Sequence, residues 1–231
     1  MKRSVSIVIP VHNEELIIED AVLKLVAEFS SIAEDFEIIP VENGSSDRTW
    51  ELILKLSEAD KRIKPLRSAK PDYGFALKMG ISNSKNELII SDEIDVLDHN
   101  FHKDAIQALD KFDIVIASKR HPSAKDDRGF LRLIGTETIT LLLKLICGMK
   151  ASDSHGPKGW RRETAQAIVK ASLLDGDLFA SEAVLRAERM GLKIKELPLS
   201  IKEKRKTPIS LIKRIPKVIR DIYFLKKALN N

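Results

Sequence analysis

Through its first half the sequence alternates short β-branched runs with longer segments of helical period, and few folds tolerate that alternation. Val5 to Ile9 is followed by an amphipathic stretch from Glu14 to Phe29, Phe36 to Val41 by Asp47 to Leu56, and Ile63 to Leu66 by Tyr73 to Ile81. Glu87 to Ile90 and Ile114 to Ala117 add two further apolar runs. Short connections between such segments mark a mostly parallel sheet flanked by helices, because parallel neighbours need a crossover and the crossover helix covers the sheet face. In such sheets ligands sit beyond the carboxyl ends of the strands. The polar segments that follow the strands are therefore the ones to examine: VHNEE, ENGSSD, SDEID and SKRH after the first, second, fourth and fifth.

Beyond residue 120 the pattern is less regular. His121 to Phe130 reads as a polar loop, followed by an apolar helix to about Cys147 and a polar turn, ASDSHGPKG. Two helices are expected near Arg161 to Ala171 and Asp177 to Met190, and a last strand in LKIKELPLSI. With no internal repeat and no low-complexity linker, the chain reads as one compact α/β unit.

Charge narrows the partners. The net charge is +5 over 231 residues, but Lys202 to Lys227 holds ten Lys or Arg against Glu203 and Asp221, so the rest of the chain is slightly acidic. The charge suggests an anionic partner such as nucleic acid, phosphate or membrane, and it belongs to the tail; no nucleic acid partner is expected, and binding of nucleic acid through the tail is the rival to an enzyme. The single cysteine, Cys147, excludes an intrachain disulfide and a cysteine metal site, and suits a reducing, cytoplasmic compartment. The longest apolar stretch, Thr138 to Met149, is interrupted by Lys144 and is too short to span a bilayer, so any membrane contact is expected from the surface. In the tail, Ile215, Ile219, Ile222, Leu225 and Leu229 recur at three or four residues, with basic side chains largely elsewhere on the wheel. That suits either an interfacial helix on anionic lipid or a helix packed on the domain.

The segment SDEIDVLDHN, directly after Leu88-Ile89-Ile90, concentrates four acids and a histidine. If Glu93 and Asp95 alternate along a strand end, they project to one side and suit a hard divalent cation, Mg²⁺ or Mn²⁺, leaving positions for phosphate oxygens. A one-residue shift would pair Asp92 with Asp95 instead. Asp95, His99 and His102 offer a zinc-like alternative that lacks a fourth ligand, and a solvated turn with Asp98 or Asn100 capping the next helix is the plainest reading. Glu42, an acid at the end of a buried strand, is placed to accept hydrogen bonds from a base or ribose. Neither a Gly-x-x-x-x-Gly-Lys nor a Gly-x-Gly-x-x-Gly motif occurs, which excludes a P-loop and ordinary dinucleotide binding.

Taken in order, SIVIPVHNEE, VENGSSDRT, YGFALKMGI, the acidic pair, SDSHGPKGWRRE and SEAVLRAERMGLKIKELPL resemble family 2 of the inverting GT-A glycosyltransferases. Within it they resemble the branch of dolichyl-phosphate mannose synthase and polyprenyl-phosphate glycosyltransferases. The resemblance runs from Ser4 to about Arg205. It implies a GT-A domain over residues 1–205, with a nucleotide-sugar half at 1–100 and an acceptor half at 101–205, followed by a basic amphipathic tail at 206–231. It implies that Pro10, Val11, Asn13, Glu14 and Glu42 line the nucleotide pocket, with Tyr73, Gly74 and Lys78 near base and diphosphate and Arg205 reaching in from the tail. Glu93 and Asp95 would replace the family's Asp-x-Asp around Mg²⁺ or Mn²⁺. Lys119, Arg132 and Thr136 would grip an acceptor phosphate, and Asp153, His155, Lys158 and Trp160 would form the acceptor wall. Three departures stand out: Asn43 where an acid is usual, Glu93 for the first Asp, and Leu97 where a polar metal neighbour is common.

The implied reaction moves a hexose from GDP-mannose or a UDP-hexose to a polyprenyl or dolichyl phosphate at the cytoplasmic membrane face. A phosphate monoester is already ionised near neutral pH and needs no general base. A sugar hydroxyl needs one, for which Asp153 and then His155 are the candidates. The alternatives are transfer to a soluble or glycan hydroxyl, and a non-catalytic module that binds nucleotide sugar.

Overall fold

The computed structural model describes residues 3–124, 137–199 and 211–230, with side chains in the last of these from 218 onward. Arg132, Thr136 and Arg205 lie outside the described residues. In chain order the elements are β1 (Ser4–Val11), α1 (Ile18–Ile32), β2 (Asp35–Asn43), α2 (Thr49–Ala59), β3 (Leu66–Ser68), α3 (Tyr73–Asn83), β4 (Leu88–Ser91), α4 (His99–Ala108) and β5 (Ile114–Ser118). A helical segment closing in a π-helical turn (Leu143–Cys147) leads to β6 (Lys158–Arg161), α5 (Arg162–Ala171), α6 (Leu178–Arg189), β7 (Ile194–Pro198) and α7 (Leu211–Ala228).

Seven strands form one sheet in the order β3-β2-β1-β4-β6-β5-β7. The contacts of β1 with β2 and β4, of β2 with β3 and of β5 with β7 are parallel. The apolar runs of the sequence follow from this: in β1, Val5, Ile7, Val8, Ile9 and Val11 are all buried because helices cover both faces. Val5, Ile7 and Ile9 pack under α1, α2 and α4 through Ile18, Val22, Leu25, Phe29, Ile53 and Phe101. Val8, Ile39 and Ile89 face α3, α5, α6 and α7 through Leu77, Ile81, Ile168, Val184 and Leu225.

Four sequence expectations are corrected. Helix α1 begins at Ile18 rather than Glu14, because Asn13 adopts φ 54° and its loop is zipped to the start of α2. There Asn13 accepts a hydrogen bond from the Ser46 N–H at 2.8 Å and the Glu14 N–H donates to Thr49 at 2.8 Å. The third strand is Leu66–Ser68, and Ile63 makes only an isolated bridge to Ile38. The turn expected through Lys158 and Gly159 is in part a strand, β6, antiparallel to both β4 and β5. In the tail, Ile222, Leu225 and Leu229 are buried against the domain while Ile219 is exposed, so the stripe does not face outward as one surface; Ile215 lies where side chains are not described. Among the described residues, no helix is long and apolar enough to cross a membrane.

Two features hold the layers in register. Gly80 lets α3 lie directly on β1: a Cβ there would collide with the Val8 side chain and stand 3.0 Å from that of Val41. His102 of α4, fully buried, is bonded at both ring nitrogens, to Glu28 of α1 at 2.6 Å and to Asp92 just beyond β4 at 2.5 Å. Burial alone would lower the imidazole pKa, but the hydrogen bonds to Asp92 and Glu28 outweigh it and raise it to about 10. The zinc-like alternative is thereby excluded, since His102 and His99 both turn to Glu28.

Gly80→Ala is expected to cost about 1–3 kcal/mol through overpacking, read as a lowered urea midpoint. The raised pKa of His102 means that its contribution is fully present below pH 6.5 and is lost as pH rises toward about 10. The stability difference between wild type and His102→Gln should therefore shrink across that window in urea titrations; a constant difference would contradict the charged assignment.

Candidate functional site

All the parallel strands end on one side of the sheet, and the antiparallel β6 begins there. Lys158 pairs with Ser91, the last residue of β4, and with Ile116 near the end of β5. This brings the loop at 151–157 beside the acidic turn that follows β4, although the two are some sixty residues apart in sequence.

Where the sequence places the nucleotide there is an open cleft of about 510 Å³ lined by Pro10, Val11, His12, Asn43, Pro71, Asp72, Tyr73, Gly176 and Asp177. Its far wall, the loop between α5 and α6, is held by long-range polar contacts. The Gly176 N–H donates to Asp72 at 2.8 Å, Lys78 pairs with Asp175 at 2.8 Å, and the buried Glu182 accepts the Leu173 and Leu174 N–H groups at 2.9 and 2.8 Å. Asp72 also caps α3 by accepting the Phe75 N–H, and its own N–H donates to Asn43 at 2.7 Å. Gly74 makes the close approach feasible, since a Cβ there would lie 2.5 Å from the Gly176 carbonyl oxygen.

Several expected donor residues have other work. Glu42 has no exposed surface; one oxygen accepts the Ser45 N–H and the other pairs with Arg67 at 2.9 Å, so it shapes the β2–α2 turn instead of lining the cleft. Lys78 and Gly74 build the cleft wall from behind, as above. Asn13 and Glu14 line an adjoining cleft of about 460 Å³ with Ile94, Asp95 and Leu97. Conversely, His12, Asp72, Gly176 and Asp177 were not singled out from the sequence, although His12 lies in the VHNEE segment flagged there.

Beyond β4 the chain turns at once, with the Val96 N–H donating to the Glu93 carbonyl at 2.9 Å. Glu93 and Asp95 thus share a turn rather than alternate along a strand. Asp92 is 1% exposed, and its carboxylate accepts from His102 and from the Glu93 N–H at 2.7 Å. Glu93 has its pKa raised by burial first and then by Asp95 and Asp92, against the lowering influence of Lys119 and Lys158. Two adjacent carboxylates that repel one another suit a hard divalent cation, whose remaining positions would be filled by ligand oxygens. Among the described residues, no three His, Cys, Asp or Glu side chains gather into a self-sufficient metal cage. Asp98 caps α4 by accepting the Asn100 and Phe101 N–H groups.

The region expected to take the acceptor is built around a buried carboxylate and two lysines. Asp153, 2% exposed, accepts the His155 N–H at 2.9 Å and the Lys119 N–H at 3.3 Å, with Lys119 Nζ 3.6 Å away. Lys158 is buried, donates to the Gly156 carbonyl at 2.9 Å, and has its pKa lowered to about 8, chiefly by burial. His155 lies on this loop with its Nδ1 3.1 Å from the Ser154 hydroxyl; desolvation, then Lys158 and Lys119, push its pKa down. Tyr73, whose hydroxyl is held protonated by burial and by Glu93 and Asp92, lines both the open cleft and a small cavity shared with Gly156 and Lys158. Trp160 is a core residue, 2% exposed with its indole N–H on Ser91 at 3.0 Å, and does not line an acceptor wall.

Known proteins place the chain in a family and a fold. Over 219 residues the sequence is 26% identical to glycosyltransferase AglD of Haloferax volcanii, covering 91% of this chain and 35% of that protein. It is 30% identical over 159 residues to the undecaprenyl-phosphate 4-deoxy-4-formamido-L-arabinose transferase of Salmonella paratyphi A, covering 67% of this chain and 47% of that one. The chain thus spans about a third to a half of the length of these relatives. Among solved structures it superposes on the glucosyl-3-phosphoglycerate synthase of Mycobacterium tuberculosis in complex with Mn²⁺, UDP-glucose and phosphoglyceric acid. The TM-score is 0.72 at 18% identity, with 97% of this chain and 80% of that chain covered. The same synthase with Mg²⁺ and UDP gives a TM-score of 0.67 at 16% identity, covering 97% of this chain and 80% of that chain. That likeness identifies the fold as GT-A. Residues 6–165 match the Glycosyl transferase family 2, and the chain belongs to that family.

Proposed function

We propose that this chain is a divalent-cation-dependent glycosyltransferase that moves a hexose from a nucleotide sugar, GDP-mannose or a UDP-hexose, to a polyprenyl or dolichyl phosphate at the cytoplasmic face of a membrane. The observation that carries the reading is the meeting, at one end of the sheet, of the acidic turn after Ser91 with Lys158, which pairs with Ser91, and with Lys119, held 3.6 Å from Asp153. The name of the Salmonella relative supports a lipid-phosphate acceptor, and the Mn²⁺ and Mg²⁺ complexes of the structural neighbour support a divalent ion.

In this reading the nucleotide occupies the cleft between Pro10, Asn43 and Asp72, and Glu93 with Asp95 hold Mg²⁺ or Mn²⁺. When bound, the cation supplies Lewis-acid stabilisation of the departing diphosphate. Asp92 is a poor ligand in this geometry because both its oxygens accept hydrogen bonds from protein, which favours the Glu93 and Asp95 register. Lys119 and Lys158 orient an anionic acceptor, and Asp153 positions Lys119. Asp153 is too enclosed to take a proton from an acceptor hydroxyl, whereas an ionised phosphate requires no such step.

A second reading rests on His155: held beside Asp153 with its pKa pushed down by desolvation and the two lysines, it is suited to act as base for a hydroxyl acceptor. His155→Ala separates the two, leaving transfer to a lipid phosphate largely intact and abolishing transfer to a hydroxyl.

The test is release of nucleoside diphosphate from GDP-mannose and UDP-glucose, with a short-chain polyprenyl phosphate, in Mn²⁺, Mg²⁺ or chelator. Glu93→Gln and Asp95→Asn are each expected to lower the rate by about 10²–10³, whereas Asp92→Asn should mainly lower stability. Donor binding without turnover under any of these conditions would replace the enzyme with a binding module. Because Lys158 has a pKa of about 8, kcat/KM for the phosphate acceptor should fall as pH rises through that value, and Lys158→Arg should move the decline upward. A profile unchanged in Lys158→Arg would remove the lysine from acceptor binding.

A further inference from the structure

Of the large apolar side chains exposed among the described residues, half lie on two adjoining helices: Leu141, Leu145 and Ile146 before β6, and Ile219, Tyr223 and Phe224 on α7. The two helices pack side by side. Both bury their inner stripes in the same core, the first through Leu143 and Cys147, the second through Ile222, Leu225 and Leu229. Their outer stripes are therefore left together on one side of the protein. Leu145 is 74% exposed and Tyr223 66%.

The surroundings of these stripes are cationic. Lys144, Lys150, Arg220, Lys226 and Lys227 are all exposed. Lys226 stands near enough to Cys147 to act on its thiol, which ties the basic end of α7 to the neighbouring helix. The nearby acids are already engaged: Asp221 faces Arg220 at 3.7 Å, Glu137 pairs with Arg120 at 3.0 Å, and Glu188 accepts the Lys150 and Ala151 N–H groups.

We propose that the outer face of these two helices docks on an anionic lipid bilayer, with Leu145, Ile219, Tyr223 and Phe224 entering the interface and the lysines meeting lipid phosphates. Apolar insertion and attraction to anionic lipid add in such a face. A second copy is disfavoured as occupant, because it would bring the same cations against one another. The docking face is thus the reverse of the Ile222, Leu225 and Leu229 stripe, and it includes a helix outside the tail. The inference deepens the lipid-phosphate reading above, but vesicle binding is measured without donor, metal or acceptor, so either can fail alone.

The test is flotation of the full chain with phosphatidylcholine vesicles, with and without phosphatidylglycerol, at low and high salt. The double variant Leu145→Glu/Tyr223→Glu is compared with a control, Leu23→Glu/Leu54→Glu, on exposed positions of α1 and α2. Wild type and control should float with anionic vesicles, less so at high salt or without phosphatidylglycerol, and the double variant should lose about tenfold or more in partitioning with an unchanged melting temperature. Failure of wild type to float, equal flotation of the double variant, or flotation indifferent to lipid charge would each overturn the proposal. So would a dimer by light scattering that the double variant dissolves while vesicle binding is absent.

Discussion

The pairing of Lys158 with Ser91 fixes where everything else can be. A purely parallel sheet would place the segment after the π-helical turn at the wrong end; one antiparallel strand between β4 and β5 reverses it. The loop at 151–157 then opens at the carboxyl ends of the other strands, where Asp153, His155 and Lys158 meet the turn carrying Glu93 and Asp95. Gly159, one residue on, keeps this strand close under α4, since a Cβ would stand 3.2 Å from Ala105.

Electrostatics follow from that placement. Burying Lys158 depresses its ammonium, burying Glu93 raises its carboxyl, and each partly relieves the other. Asp92, though adjacent, is drawn off into a separate link with His102 and Glu28 that joins α1, α4 and the sheet. The acidic segment therefore divides its labour: Asp92 braces the fold, Asp98 caps α4, and Glu93 and Asp95 are left to the cation in the proposed reading.

Much of this was legible in the sequence for a definite reason. Strands buried on both faces write continuous apolar runs, so β1, β2, β4 and β5 announced themselves, and the polar residues after them marked the ligand end. Strand β6 did not, because Lys158–Arg161 is four residues with a charge at each end and a glycine inside. Individual roles failed where they depended on distant partners. Glu42 is committed to Arg67, Lys78 to Asp175 and Trp160 to Ser91, at separations of 25, 97 and 69 residues. No local pattern records such pairs. The tail shows the same limit: its helical period was readable, but which stripe met the core depended on the helix beside it.

The central claim is that Glu93 and Asp95, and not Asp92, hold the cation that faces the nucleotide cleft. A crystal structure of the chain with Mn²⁺ and a nucleoside diphosphate, located by anomalous scattering, tests it most directly. The account predicts one manganese peak within direct coordination distance of carboxylate oxygens from Glu93 and Asp95, with Asp92 still on His102 and the base between Pro10 and Asp72. A peak on Asp92 with His102 displaced, or a nucleotide bound away from that cleft with no metal at the turn, would contradict it.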